Sequence, residues 1–118
     1  MFNRITLITL LVTLLITTGC RDDEKASYVK VFKHDQSVQC DPTSGIALEV
    51  TAQELTDAGI DVLCSQKGHD GYARIAVCGE STGNINIHQI HRPNLEDAQA
   101  EGFANISVLL EYQDQPCD

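Results

Sequence analysis

The chain has 118 residues, enough for one small domain, and its 8 Lys and Arg against 17 Asp and Glu give a formal net charge of −9. No block of Lys or Arg occurs, which excludes nucleic acid and anionic membrane surfaces as electrostatic ligands. Apolar residues at 42% and charged residues at 21% are ordinary globular usage and exclude wholesale disorder.

The N-terminus reads Met1-Phe2-Asn3-Arg4, then an uncharged apolar run from Ile5 to Ile16, then Thr17-Thr18-Gly19-Cys20. One cation ahead of about a dozen apolar residues is the layout of a signal peptide. A membrane-spanning helix needs about 20 apolar residues, and the charged Arg21-Asp22-Asp23-Glu24-Lys25 stops this run short of that. Gly19 directly before Cys20 resembles the lipobox of bacterial lipoproteins, in which the cysteine receives diacylglycerol and becomes the mature N-terminus. The position three before the cysteine, commonly Leu, is Thr17 here, with Ile16 one place further back. The resemblance implies that residues 1–19 are a lipoprotein signal peptide and residues 20–26 a lipidated tether. Residues 27–118 are then a single small disulfide-stapled α+β domain. The lipid on Cys20 would hold it at a membrane of the bacterial cell envelope, since each buried methylene contributes about 0.8 kcal/mol. Lipoproteins of enteric type with Asp after the cysteine tend to stay in the inner membrane. Arg21 therefore favours the outer membrane, facing the periplasm.

Ser27 to Lys33 alternates as a strand with β-branched residues inward, and His34 to Gly45, with Asp41-Pro42 and Ser44-Gly45, reads as loop. Thr51-Ala52-Gln53-Glu54 fits a capping box, so a helix covers Ala52 to Ala58, starting there or near Leu48, and stops at Gly59. Ile60 to Ser65 and Tyr72 to Cys78 read as a hairpin about the turn Gly68-His69-Asp70-Gly71. Ile85 to Ile90 is a further strand, followed by a helix over Leu95 to Glu101 that Asn94 can cap and Gly102 closes. Ile106, Val108, Leu110 and Tyr112 alternate with polar residues in a last strand. The order β-α-β-β-β-α-β predicts an α+β fold: a mostly antiparallel sheet with two helices on one face, a ferredoxin-like βαββαβ plan with one added strand.

Cys40, Cys64, Cys78 and Cys117 accompany Cys20 in the mature chain. An even number in a small exported domain predicts two disulfides. Three pairings exist; Cys64 with Cys78 would cross-link the hairpin, while the other two tie Cys40 to one of its strands and Cys117 to the other. A pairing that pins the C-terminal tail onto the sheet is expected. With no Cys-x-x-Cys spacing and the thiols oxidised, neither a zinc site nor a cysteine nucleophile is expected.

No other motif supplies chemistry. His34-Asp35 and His69-Asp70 are adjacent pairs, and His88 and His91 lie three apart, which on a strand puts them on opposite faces. We expect solvated histidines, no metal and no cofactor. Ser65, Ser81 and Ser107 lie in no Gly-x-Ser-x-Gly elbow, and Gly79-Glu80-Ser81-Thr82-Gly83 lacks the Lys of a phosphate cradle. Asp22-Asp23 belongs to the tether, and Glu96-Asp97 to a helix first turn. The sequon Asn105-Ile106-Ser107 would stay bare in a bacterial lipoprotein.

Leu55-Thr56-Asp57-Ala58-Gly59, Tyr72-Ala73-Arg74-Ile75-Ala76-Val77 and Ala98-Gln99-Ala100-Glu101-Gly102-Phe103 are similar in plan to a sporulation-related repeat (SPOR) domain, in the order helix, strand, aromatic-led strand, helix. The family's Gly-Pro-Phe after its third strand is Cys78-Gly79-Glu80 here. That resemblance implies binding to peptidoglycan glycan strands, against which stands the lack of any Trp for stacking on sugars. The expected function is a lipid-anchored envelope protein with a non-catalytic binding or accessory role through a protein partner. The alternatives are a peptidoglycan-binding module and a small periplasmic peptidase inhibitor presenting Gly79 to Asn84 or Gln36 to Gly45.

Overall fold

The computed structural model describes residues 27–117. The signal segment, Cys20 and the tether lie outside the described residues. Five strands form one antiparallel sheet: β1 (Tyr28–His34), β2 (Cys64–His69), β3 (Asn84–His91), β4 (Ala104–Asn105) and β5 (Gln113–Asp114), in the spatial order β4-β1-β3-β2-β5. β3 runs antiparallel to both β1 and β2, with Val31 opposite His88 and Ser65 opposite His88. β1 and β2 are therefore parallel strands with β3 between them, the split unit of a ferredoxin-like plan, and β5 is the added strand.

Helix α1 (Leu48–Asp57) and helix α2 (Leu95–Ala100) cover one face. Both end in the same way, because a glycine follows each. Gly59, at φ +81°, lets its NH bond Thr56 O and the Ile60 NH bond Leu55 O; Gly102, at φ +90°, does the same for Gln99 O and, through the Phe103 NH, for Ala98 O. The motif turns Ile60 and Phe103 back onto Leu55 and Ala98, and these four pack with Val29, Val31 and Ile90 as the helix-side core. The opposite face carries Phe32, Ile85 and Ile87. Leu109 covers them, with Ile106 and Tyr112 beside it. The C-terminal segment thus crosses beneath the sheet from β4 at one edge to β5 at the other.

Four local expectations are corrected. Thr51 is not the helix cap: α1 begins at Leu48, Thr51 Oγ1 donates to Leu48 O, and Glu54 pairs with Lys33 at 2.7 Å. Asn94 precedes α2 without a side-chain cap hydrogen bond. The hairpin is replaced by β2 pairing with β3 on one side and with β5 on the other, so Tyr72 to Cys78 has no sheet edge to join. Gly68 permits this, since a Cβ there would collide with the Gln113 carbonyl. The last strand shrinks to Ala104–Asn105 and a 3-10 turn at Ile106–Val108, so Leu109 faces inward while Val108 and Leu110 face out.

His88 is fully buried, against the expectation of a solvated side chain. Its Nε2 lies 2.8 Å from Thr51 Oγ1, whose proton goes to Leu48 O, so Nε2 donates; Nδ1 then accepts from Ser65 Oγ at 2.7 Å. Burial lowers its pKa to about 4, with the Lys67 charge assisting and Glu54 opposing. An unfolded His takes up its proton near pH 6.5, which the folded chain resists down to about 4. Stability is therefore expected to fall as pH drops through that window, by about 3 kcal/mol at its lower end. Urea unfolding at pH 7 and pH 4.5 measures it, and His88→Gln should flatten the slope.

Candidate functional site: a braced apolar loop

Between Asp70 and Gly83 the chain leaves the sheet and returns to start β3. Gly71, at φ +86°, turns it outward where a Cβ would strike the Glu111 backbone. The segment beyond carries apolar side chains in solvent: Tyr72 is 57% exposed, Ile75 76% and Val77 49%, while Leu110, which borders the same cleft as Tyr72, is 92% exposed. A run of large exposed apolar residues on one projecting loop is a mark of an interaction surface.

Three devices hold the loop. The first is Asp70, only 2% exposed, whose carboxylate receives Arg74 in a fork at 2.8 and 2.6 Å, His34 Nε2 at 2.9 Å and the Tyr72 NH at 3.0 Å. Burial would raise its pKa, but the hydrogen bonds from Arg74, His34 and Tyr72 and the Arg74 charge outweigh it and hold the carboxyl well below its ordinary range. The second is the Cys40–Cys78 disulfide, with Cα atoms 5.1 Å apart. The third is Gln39, whose side chain fills the inside of the loop: Nε2 donates to Ile75 O at 2.9 Å and to Ser81 O at 3.3 Å, and Oε1 accepts from the Val77 NH at 3.1 Å. Backbone bonds from Gln39 N to Glu80 O and from Gly79 N to Gln39 O complete the seam.

The segment that supplies Gln39 is itself anchored at Asp35. This buried carboxylate accepts from Ser37 N at 2.8 Å, Ser37 Oγ at 2.6 Å and Lys67 Nζ at 3.2 Å. Burial pushes its pKa up, yet the Ser37 and Lys67 hydrogen bonds and the Lys67 charge together leave it below the ordinary value. Gln36 and Cys40 both take left-handed backbone conformations, at φ 62° and 69°, uncommon for residues other than glycine. The anchored carboxylate and the disulfide hold the chain in that shape.

Gln36 to Gly45 and Gly79 to Asn84, the loops named for the peptidase-inhibitor alternative, brace the segment Tyr72 to Val77, while residues 40–43 and 79–81 are themselves exposed. Cys64 pairs with Cys117 and ties the tail to β2, with Cα atoms 5.6 Å apart. His34 and His69 gather at Asp70, whereas His91 stacks near Tyr28 at the other end of β1. Ser65 and His88 form a hydroxyl–imidazole pair, but the imidazole's second partner is the neutral Thr51 hydroxyl and its low pKa makes it a weak base. Among the described residues no three His, Cys, Asp or Glu converge as metal ligands. The sequence marked Asp70 as a turn residue and as the neighbour of His69, without its link to Arg74, and it marked no role for Arg74 or Gln39. The Asp70-Gly71 turn signal and the four-residue step to Arg74 were available for the first two, and nothing local marks Gln39.

Comparison with known proteins adds no relative: no family model, no curated protein and no solved structure matches the chain.

Proposed function

We propose that the chain is a bacterial cell-envelope lipoprotein, attached through acylated Cys20 and facing the periplasm from the outer membrane, whose domain binds a protein partner without catalysing a reaction. The observation that carries the reading is the braced loop and its position. Ser27 O accepts from Arg92 N at the Tyr28–His91 end of the sheet, whereas the loop enters β3 beside the His34–Ile85 end. The seven residues of β1 separate the two by about 20 Å. A domain tethered at Ser27 would carry Tyr72, Ile75 and Val77 on the side away from the lipid, toward soluble partners. Two disulfides suit an oxidising compartment outside the cytoplasm.

The anchor is tested by expressing the full chain and its Cys20→Ser variant in a Gram-negative host. The wild type is expected to partition into the membrane fraction, with a mass of residues 20–118 plus acyl groups, and the variant into the soluble fraction. Equal partition of both, or an unacylated mass for the wild type, would overturn the anchor.

A further inference from the structure

Ala76 lies in the loop between two residues, Ile75 and Val77, whose backbone groups are tied down while its own are not. The carbonyl before it and the amide after it both turn inward onto Gln39. The Val77 NH also reaches Ile75 O at 3.0 Å, closing a three-residue turn about Ala76. The NH and carbonyl of Ala76 itself have no hydrogen-bond partner among the described residues, and the residue is exposed. One residue beyond Val77, Cys78 is fastened to Cys40, the direct neighbour of Gln39.

These are the groups that a serine endopeptidase engages at the scissile residue. Its oxyanion hole takes the carbonyl oxygen, and its specificity pocket takes the side chain. A methyl side chain suits a small apolar pocket of the elastase kind, and Ile75 and Val77 supply apolar flanks. A loop already held in its bound shape loses little conformational freedom on docking, which favours tight binding. We propose that the loop from Tyr72 to Cys78 enters the active-site cleft of a serine endopeptidase with a small apolar specificity pocket, seats Ala76 there and blocks the enzyme. This rests on the protein-binding reading above and narrows it to one class of partner.

The same bracing would oppose net cleavage of the docked loop. If the enzyme's serine oxygen bonds to the Ala76 carbonyl carbon, the Ala76–Val77 C–N bond breaks and the serine proton passes through the enzyme's histidine to the Val77 amine. That amine stays beside the ester, because Cys78 is held by Cys40 and Ile75 by Gln39, and attack by it reverses the step.

The test titrates the full-length chain, in detergent micelles, against an elastase-type and a trypsin-type endopeptidase. The wild type is expected to inhibit the first competitively and to leave the second unaffected. Ala76→Lys, a change at an exposed position, should reverse the preference by more than about tenfold in each direction, since the trypsin-type pocket holds a carboxylate. Absence of inhibition by both chains, or cleavage after Ala76 at the rate of an ordinary substrate, would overturn the inference. If the loop still cross-links to a protein in the envelope in that case, the protein-binding reading survives and only the peptidase is lost.

Discussion

Asp70→Asn is expected to destabilise the domain by about 3 kcal/mol and to loosen the loop from Tyr72 to Val77. The substitution removes the charge that answers Arg74 in a nearly closed site, and breaking such a pair from one side costs about 3–5 kcal/mol. The lower end applies because Arg74 is one-quarter exposed and can turn its guanidinium to water. Urea unfolding at pH 7 gives the stability change, and hydrogen exchange at the Tyr72 and Val77 amides gives the loosening. A change within about 0.5 kcal/mol, the range of an ordinary surface substitution, would show that Asp70 holds nothing. The wild type has an acid counterpart: a carboxyl with a depressed folded pKa stabilises above its unfolded value of 3.8 and loses that contribution as pH falls further. His88 acts at higher pH, so acid destabilisation should proceed through two successive windows, and Asp70→Asn should shrink the second, to which Asp35 also contributes.

Cys64→Ala with Cys117→Ala is expected to cost about 4 kcal/mol. The bond closes a separation of 53 residues, and the entropy of the opened loop in the unfolded chain sets that figure. Its structural consequence is local. Leu109 and Tyr112 cover Phe32, Ile85 and Ile87 from a segment with little regular structure, fixed by β5 and by this disulfide. Without it, the two-residue pairing of Gly68 with Asp114 and His69 with Gln113, the Gln115 NH bond to Lys67 O and the partly exposed Lys30–Asp114 ion pair are left to hold the tail. Denaturant unfolding of the oxidised wild type and the double variant measures the loss; an unchanged midpoint would contradict the role assigned to the tail.

The helices, their stops and the α+β plan were legible because local signals sufficed: Gly59 and Gly102 end the helices through their own backbone freedom, and Ile85 and Ile87 alternate toward one core. The hairpin was misread because Tyr72 to Val77 has strand-like composition, while the edge it would join is taken by β5, a partner more than 40 residues away. The final strand failed for a related reason. Exposed Val108 and Leu110 mimic the alternation of a buried face, and only the crossing beneath the sheet puts Leu109 inward. The same long-range packing hid the site, since neither Gln39 reaching into a loop some 36 residues downstream nor His34 meeting Asp70 leaves a spacing motif.

The most direct test of the account is photo-crosslinking in the envelope of living cells, with a benzophenone side chain in place of Ile75 in the full-length chain and, separately, in place of exposed Glu96 on α2. A lipid-tethered domain that presents its braced loop to a protein predicts one discrete protein adduct from position 75, absent from position 96 and lost when Cys20→Ser removes the anchor. Adducts from position 75 to lipid alone, or the same adduct from both positions, would contradict it.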